Sequence, residues 1–183
     1  MNHKKILKRV LCVFLSLSAV GYVHAEEISK SINVVFKVKV LKPVCKLSSG
    51  NQTIDFGNFD ALDVVTGSNK VNGSTTFKFT ECSAVNHLKI KFTQAGQNPA
   101  PDTVNNYIPN PVGDTMAEGV AVRLLDESQQ VIPLGDIMDI AMTAGQGTKE
   151  LKLNARVIPV DRTGRTITPG LLQTAVGLEI SYE

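Results

Sequence analysis

Apolar and polar side chains alternate along two segments near opposite ends of the chain. In segment 176–183 the apolar positions are Val176, Leu178, Ile180 and Tyr182. The other segment, 32–40, reads Ile-Asn-Val-Val-Phe-Lys-Val-Lys-Val. A period of two residues is typical of a β-strand that buries one face and exposes the other. Because chain ends are usually frayed and polar, two such ends predict strands that join another surface.

The rest of the chain has the pattern of an antiparallel β-protein. Short segments rich in Val, Ile, Thr and Phe recur between Gly, Asn, Pro and Asp. We predict strands at 53–56, 75–80, 87–93, 120–125, 150–159 and 173–182, with a short return strand at 131–132. At 60–65 and 134–144 we expect no more than a helical turn, and the proline-rich segment 98–113 is expected to be a loop or an edge strand. The pattern predicts a single all-β domain, most plausibly a sandwich.

Residues 1–25 have the composition of a secretory signal peptide. Four basic residues precede an uncharged apolar run at 10–23, and Val23-His24-Ala25 forms a small-residue cleavage site. The alternative is a membrane anchor, but the run is shorter than the roughly 20 residues that a spanning helix needs. We therefore expect a mature chain that begins at Glu26, without direct membrane insertion. Of the 19 Lys and Arg residues, four lie in the leader, so the mature chain has 15 against 17 Asp and Glu.

The mature chain contains two cysteines, Cys45 and Cys82. In an oxidising compartment a lone pair of cysteines most simply forms a structural disulfide. The alternatives are two free thiols or a metal site. The metal site is disfavoured because His87 is the only histidine of the mature chain and no Cys-x-x-Cys motif occurs.

The sequence offers few groups for catalysis or for binding a cofactor. It has no tryptophan, and no glycine motif of the kind that holds a phosphate or presents a serine nucleophile. Asp136 and Asp139 lie three residues apart in a polar stretch, where carboxylates are usually solvated. We therefore predict no enzyme activity, no catalytic residue, no metal and no cofactor. The slightly acidic mature charge also argues against nucleic-acid binding.

Several motifs occur in the order found in one known family. After the leader come the segment 36–47 with Cys45, then Phe79-Thr80-Glu81-Cys82, segment 119–126, Leu153-Asn154-Ala155-Arg156, Thr168-Pro169-Gly170 and the penultimate Tyr182. Over essentially the whole mature length the chain resembles subunits of chaperone–usher pili, and among them the minor or adaptor subunits of type 1 and P pili. Rod and adaptor subunits are not distinguished by these motifs.

The resemblance implies an all-β, incomplete immunoglobulin-like sandwich that lacks its last strand and is completed by a donated strand. Residues 26–40 then form the donor extension and 41–183 the pilin domain. The donor positions are Ile32, Val34, Phe36 and Val38. The acceptor groove and chaperone contact are formed by Gly170, Val176, Leu178, Ile180 and Tyr182.

The resemblance also implies partners and a location. The partners are a periplasmic pilus chaperone, an outer-membrane usher and neighbouring pilus subunits, and the location is the fimbrium at the cell surface, reached through the periplasm. The function implied is that of a structural subunit that contributes to cell adhesion. The alternative is a single-domain adhesin that binds a host receptor or glycan directly. One position departs from the family pattern, because Val38 stands where the family often has glycine, which affects the expected donor register.

Overall fold

The computed structural model of the protein describes residues 44–143, 145–161 and 163–183, all of them within one compact unit, Val40–Glu183. The signal peptide and donor extension predicted at 1–25 and 26–40, with Ile32, Val34, Phe36 and Val38, lie outside these residues. The strands are β1 (Val44–Leu47), β2 (Asn72–Ser83), β3 (His87–Gln94), β4 (Ile108–Pro109), β5 (Val120–Leu125), β6 (Ile137–Ala141), β7 (Thr148–Pro159) and β8 (Val176–Tyr182). One short helix, α1 (Ala61–Thr66), and a 3₁₀ turn at Asn69–Val71 precede β2.

The strands form two sheets. The larger sheet has five strands in the order β1-β2-β7-β5-β4, and the smaller has three in the order β6-β3-β8. Every paired strand runs antiparallel to its neighbour. The predicted all-β, immunoglobulin-like sandwich is confirmed.

The core lies between the two sheets and follows the period-two pattern of their strands. In β3, Leu88, Ile90 and Phe92 are buried, whereas the intervening lysines are not. In β2, Phe77 and Phe79 face the same cluster. Residues that alternate in sequence therefore alternate between core and surface, as the pleat of a strand requires.

A disulfide joins Cys45 of β1 to Cys82 of β2, as predicted. It reinforces the pairing of β1, which among the described residues pairs with β2 alone and whose register shifts between Val44 and Lys46. Chain segments 37 residues apart are thereby fixed together.

The helical turn predicted at 60–65 is confirmed. Asp60 caps α1 by accepting a hydrogen bond from the Asp63 main-chain N–H at 2.8 Å, and the Asp63 carboxylate accepts one from the Asp60 N–H at 3.2 Å. This reciprocal capping box satisfies N–H groups that the first turn leaves unpaired. The hydrogen bonds from Asp60, Ser68 and Lys70 lower the pKa of Asp63.

Two predictions of local structure are wrong, and two others differ in extent. Residues 53–56 form no strand, because Ile54 and Phe56 pack against the core from an irregular segment. Within 134–144 the chain forms strand β6 instead of a helical turn, since Ile137–Ala141 pairs with β3 and alternates in exposure. The predicted last strand begins at Val176, not at 173, and the return strand at 131–132 is a single bridge between Val131 and Leu125.

Candidate strand-acceptor groove

Strand β8 lies at the edge of the three-stranded sheet. Its inner edge pairs with β3 over its whole length, from Gln94↔Val176 to Leu88↔Tyr182. Among the described residues, no strand pairs with its outer edge. The outer edge therefore has a row of main-chain N–H and C=O groups available for another strand.

An apolar groove of about 500 Å³ opens beside this free edge. Val176, Leu178 and Ile180 of β8 form one wall and are half-buried. The opposite wall comes from the larger sheet and consists mainly of Leu47, Phe77, Ile108, Val122, Leu124, Leu153 and Ala155. Several of these belong to the hydrophobic core, so the groove exposes the interior of the sandwich along one side.

The irregular segment 50–56 forms part of the groove lining, with Ile54 and Phe56 as its apolar side chains. Sequence reasoning noticed both residues but assigned them to a strand of their own. Ala95, Ile108 and Thr174 also line the groove and were missed. They come from three separate parts of the chain and meet in the folded sandwich, so no local sequence pattern indicates that they line one groove.

Two residues predicted for the groove do not line it. Tyr182 packs against the core opposite Leu88, and its burial raises the pKa of the phenol. Gly170 precedes β8 and lies against the backbone of Met116 and Ala117, where a Cβ atom would overlap with main-chain atoms. The close approach of two backbone segments accounts for the glycine at this position.

The C-terminus fixes β8 in place beyond the groove. The main-chain oxygen of Glu183 accepts hydrogen bonds from the N–H groups of Asn86 and His87, at 2.6 and 2.9 Å. The side chain of Glu183 accepts from Lys89 Nζ at 2.7 Å, and this contact raises the pKa of Lys89. Strand β8 is thus held on its inner edge and at its end, while its outer edge stays unpaired within the described part of the chain.

The groove contains no group suited to catalysis. Its lining consists of apolar side chains together with small and uncharged polar residues. Within 44–143, 145–161 and 163–183 there is no cluster of His, Cys, Asp or Glu that could hold a metal ion. In the same ranges, no helix combines the length and the apolar content needed to cross a bilayer. The unpaired edge of β8 and the apolar groove beside it suit the binding of an extended apolar segment along β8.

The sequence model of a family described as fimbrial protein matches residues 34–183. The chain belongs to the fimbrial protein family. No curated relative matches the chain.

Two solved structures share the fold. One is of a chaperone–usher pilus, described in relation to rod uncoiling, with a TM-score of 0.59, 18% identity and coverage of 85% of this chain and 97% of that one. The other is the P pilus rod subunit PapA, with a TM-score of 0.54, 16% identity and coverage of 76% of this chain and 99% of that one. At these identities the likeness concerns the fold.

Membership of the family shows the general function of the protein. The protein is a structural subunit of a pilus, it associates with other pilus subunits, and its place is the fimbrium at the cell surface.

Proposed function

We propose that this fimbrial subunit polymerises by donor-strand exchange, in which the extension at 26–40 of one subunit fills the groove of the next. The observation that carries the proposal is the free outer edge of β8 beside an apolar groove that reaches the core. A strand added there would pair its main chain with β8 and bury alternate side chains. The donor side chains are Ile32, Val34, Phe36 and Val38.

The direction and register of the donor follow from the sheet. Since all six strand pairings are antiparallel, an added strand that continues this arrangement runs antiparallel to β8. Val38 then lies opposite Val176, Phe36 opposite Leu178, Val34 opposite Ile180 and Ile32 opposite Tyr182. Burial of four such side chains contributes about 6–12 kcal/mol before the cost of ordering the extension.

Before assembly, the same groove needs a temporary occupant. A periplasmic chaperone fills this role in our proposal, and an outer-membrane usher is the place of exchange, after residues 1–25 have directed export. The exposed apolar walls support this assignment, because an open groove of this kind promotes aggregation when it is left unfilled. The protein has no enzymatic role in this scheme, and its contribution to adhesion is made through the fibre.

The test is to supply the missing strand within one chain. Residues 26–40 are attached after Glu183 through a flexible linker, and the fusion is compared with the unmodified mature chain. We expect the fusion to be a stable monomer, because an intramolecular donor has a high effective concentration. The mature chain alone is expected to aggregate or to be degraded.

The matched control is the same fusion with Val34→Asp and Phe36→Asp in the added strand. Each substitution places a charge in an apolar groove, which is costly, so the control should behave like the mature chain alone. Size-exclusion chromatography and thermal unfolding distinguish the outcomes. If the unmodified mature chain refolds to a monomer with one cooperative transition at high temperature, donor-strand exchange is the wrong mechanism.

A further inference from the structure

A second, smaller concavity lies outside the groove, at the edge of the larger sheet. It measures about 250 Å³, and its wall includes Tyr107, Pro109, Pro111, Val112, Glu118 and Val160, which we call the edge pocket. The side chain of Val112 is 90% exposed and that of Val160 is 48% exposed. Exposed apolar side chains gathered around a concavity are typical of an interaction surface.

The edge pocket adjoins the end of the groove at which β8 begins. The Thr174 hydroxyl, in the groove wall, donates a hydrogen bond to the Pro109 carbonyl oxygen at 2.7 Å. The Gln173 N–H donates to the Asn110 side-chain oxygen at 3.0 Å, and the Asn110 amide donates to the carbonyl oxygens of Ala117 and Leu171 at 2.8 Å each. Pro109 and Asn110 also line the edge pocket. The two surfaces are therefore joined through Pro109, the last residue of β4, and Asn110, which follows it.

We propose that the edge pocket receives residues 39–43 of a second copy of this chain, the copy whose extension fills the groove. The inference rests on the donor-strand exchange proposed above. In the antiparallel register, Val38 of the donor reaches Val176, and the donor chain leaves the groove beside Thr174. Five residues then separate Val38 from Val44, where β1 begins. Val38 and Val44 are thus six residue steps apart and lie at most about 22 Å from each other, so the body of the donor stays close to this end.

The donor segment is basic, and the wall of the edge pocket contains one charged residue, the acidic Glu118. Segment 28–54 contains five lysines and no acidic residue, whereas segment 92–122 contains Asp102, Asp114 and Glu118 and no basic residue. Leu41 lies between Lys39 and Lys42 in the donor. In this proposal Leu41 enters the apolar pocket and a lysine reaches Glu118 in the pocket wall, with Asp114 two residues beyond the lining residue Val112. The basic donor segment and the acidic edge pocket both belong to this sequence, so the partner that we propose is a second copy of the chain. The proposal requires that the chain repeats along the fibre.

Zero-length cross-linking of fibres made by the full chain tests this contact. A carbodiimide joins an amine to a carboxylate only where the two touch. We expect mass spectrometry to find amide bonds between Lys39 or Lys42 and Asp114 or Glu118 of another copy. Glu127 is the internal control, since it follows the end of β5 whereas Glu118 precedes its start. Links from Lys39 or Lys42 mainly to Glu127, or to a different protein, would overturn the inference.

Charge reversal provides the second arm. In the double variant Asp114→Lys with Glu118→Lys, we expect the rate of fibre assembly at low salt to fall about tenfold, since like charges now meet at this contact. A further exchange of Lys39→Glu with Lys42→Glu in the same chain should restore assembly at low salt. The matched control reverses two exposed acids elsewhere, Glu127→Lys with Asp136→Lys, and should leave the rate of assembly unchanged.

The two proposals fail in different ways. If fibres form, the strand fusion is monomeric and no link joins 39–43 to the edge pocket, the edge-pocket contact is wrong and donor-strand exchange stands. If the fusion is no more stable than the mature chain, donor-strand exchange itself is wrong. Mapping of the Cys45–Cys82 disulfide in each variant confirms that the domain has folded.

Discussion

Gly170 lies where the chain that leads to β8 crosses the backbone of Met116 and Ala117. We expect Gly170→Ala to lower the free energy of unfolding by about 1–3 kcal/mol, because the added methyl group overlaps with main-chain atoms and forces the two segments apart. The measurement is urea unfolding of the fusion that carries residues 26–40 after Glu183, which we call the strand-completed fusion. Gly147→Ala is the control, since no atom lies within 4 Å of the position a Cβ would take there. Equal unfolding midpoints for the two variants would contradict this account.

Asp102 organises the loop that carries Tyr107 into the edge pocket. Its carboxylate accepts hydrogen bonds from the Asn105 side chain at 2.9 Å and from the Asn105 and Val104 N–H groups at 2.8 and 3.0 Å. Hydrogen bonds from Asn105 are the main cause that lowers the pKa of Asp102 to about 2. Because folding lowers this pKa, the ionised Asp102 carboxylate stabilises the fold fully at pH values above its ordinary pKa of 3.8. This stabilisation is lost as the pH falls through the lowered pKa of about 2.

We therefore expect the amide NMR signals of Val104 and Asn105 to titrate together with a midpoint near pH 2. The Asp102→Asn variant retains a side-chain oxygen but cannot titrate, so this transition should disappear. A midpoint close to 4 in the unsubstituted protein, or persistence of the transition in the variant, would show that the carboxylate does not hold the loop.

The Cys45–Cys82 disulfide joins strand β1 to strand β2. Within the part of the chain that the structure describes, β1 pairs with one neighbouring strand, in an irregular register. A loop of this length predicts a loss of about 4 kcal/mol when the bond is removed, in the chain-entropy account. We expect Cys45→Ser with Cys82→Ser in the strand-completed fusion to show this loss in urea unfolding. The reduced fusion should unfold at the same midpoint as the double variant, and an unchanged midpoint in both would exclude a stabilising role.

At the scale of the elements, the sequence predicted best those strands that coincide with one apolar segment between turn residues. Strands β2, β3, β5, β7 and β8 were predicted from segments rich in Val, Ile, Thr and Phe between turn residues. Strands β2 and β3 bury alternate residues, whereas β5 is buried at five of its six positions. Segment 53–56 has the same alternation but no neighbouring strand, so Ile54 and Phe56 are buried without a ladder. The alternation of apolar and polar residues in β8 predicted the β8 wall of the groove. The opposite wall could not be predicted, because Ile108, Val122 and Leu153 are brought together only by the order of the strands in the sheet.

At the scale of the whole molecule, the fibre is joined without covalent bonds in the scheme proposed here. The mature chain has two cysteines, and both are used within one domain. Four buried donor side chains, at about 6–12 kcal/mol in total, favour a linkage that persists until the acceptor unfolds.

Fibres in cold SDS should consequently remain polymeric, while heating in SDS without reductant should release single chains that lack residues 1–25. Gel electrophoresis and intact-mass measurement check both steps. The control is fibre heated with reductant, which should give chains of the same length that differ only by the opened disulfide. A ladder of oligomers that survives heat and disappears only with reductant would mean that Cys45 or Cys82 joins separate subunits, and that the strand in the groove is not what holds the fibre together.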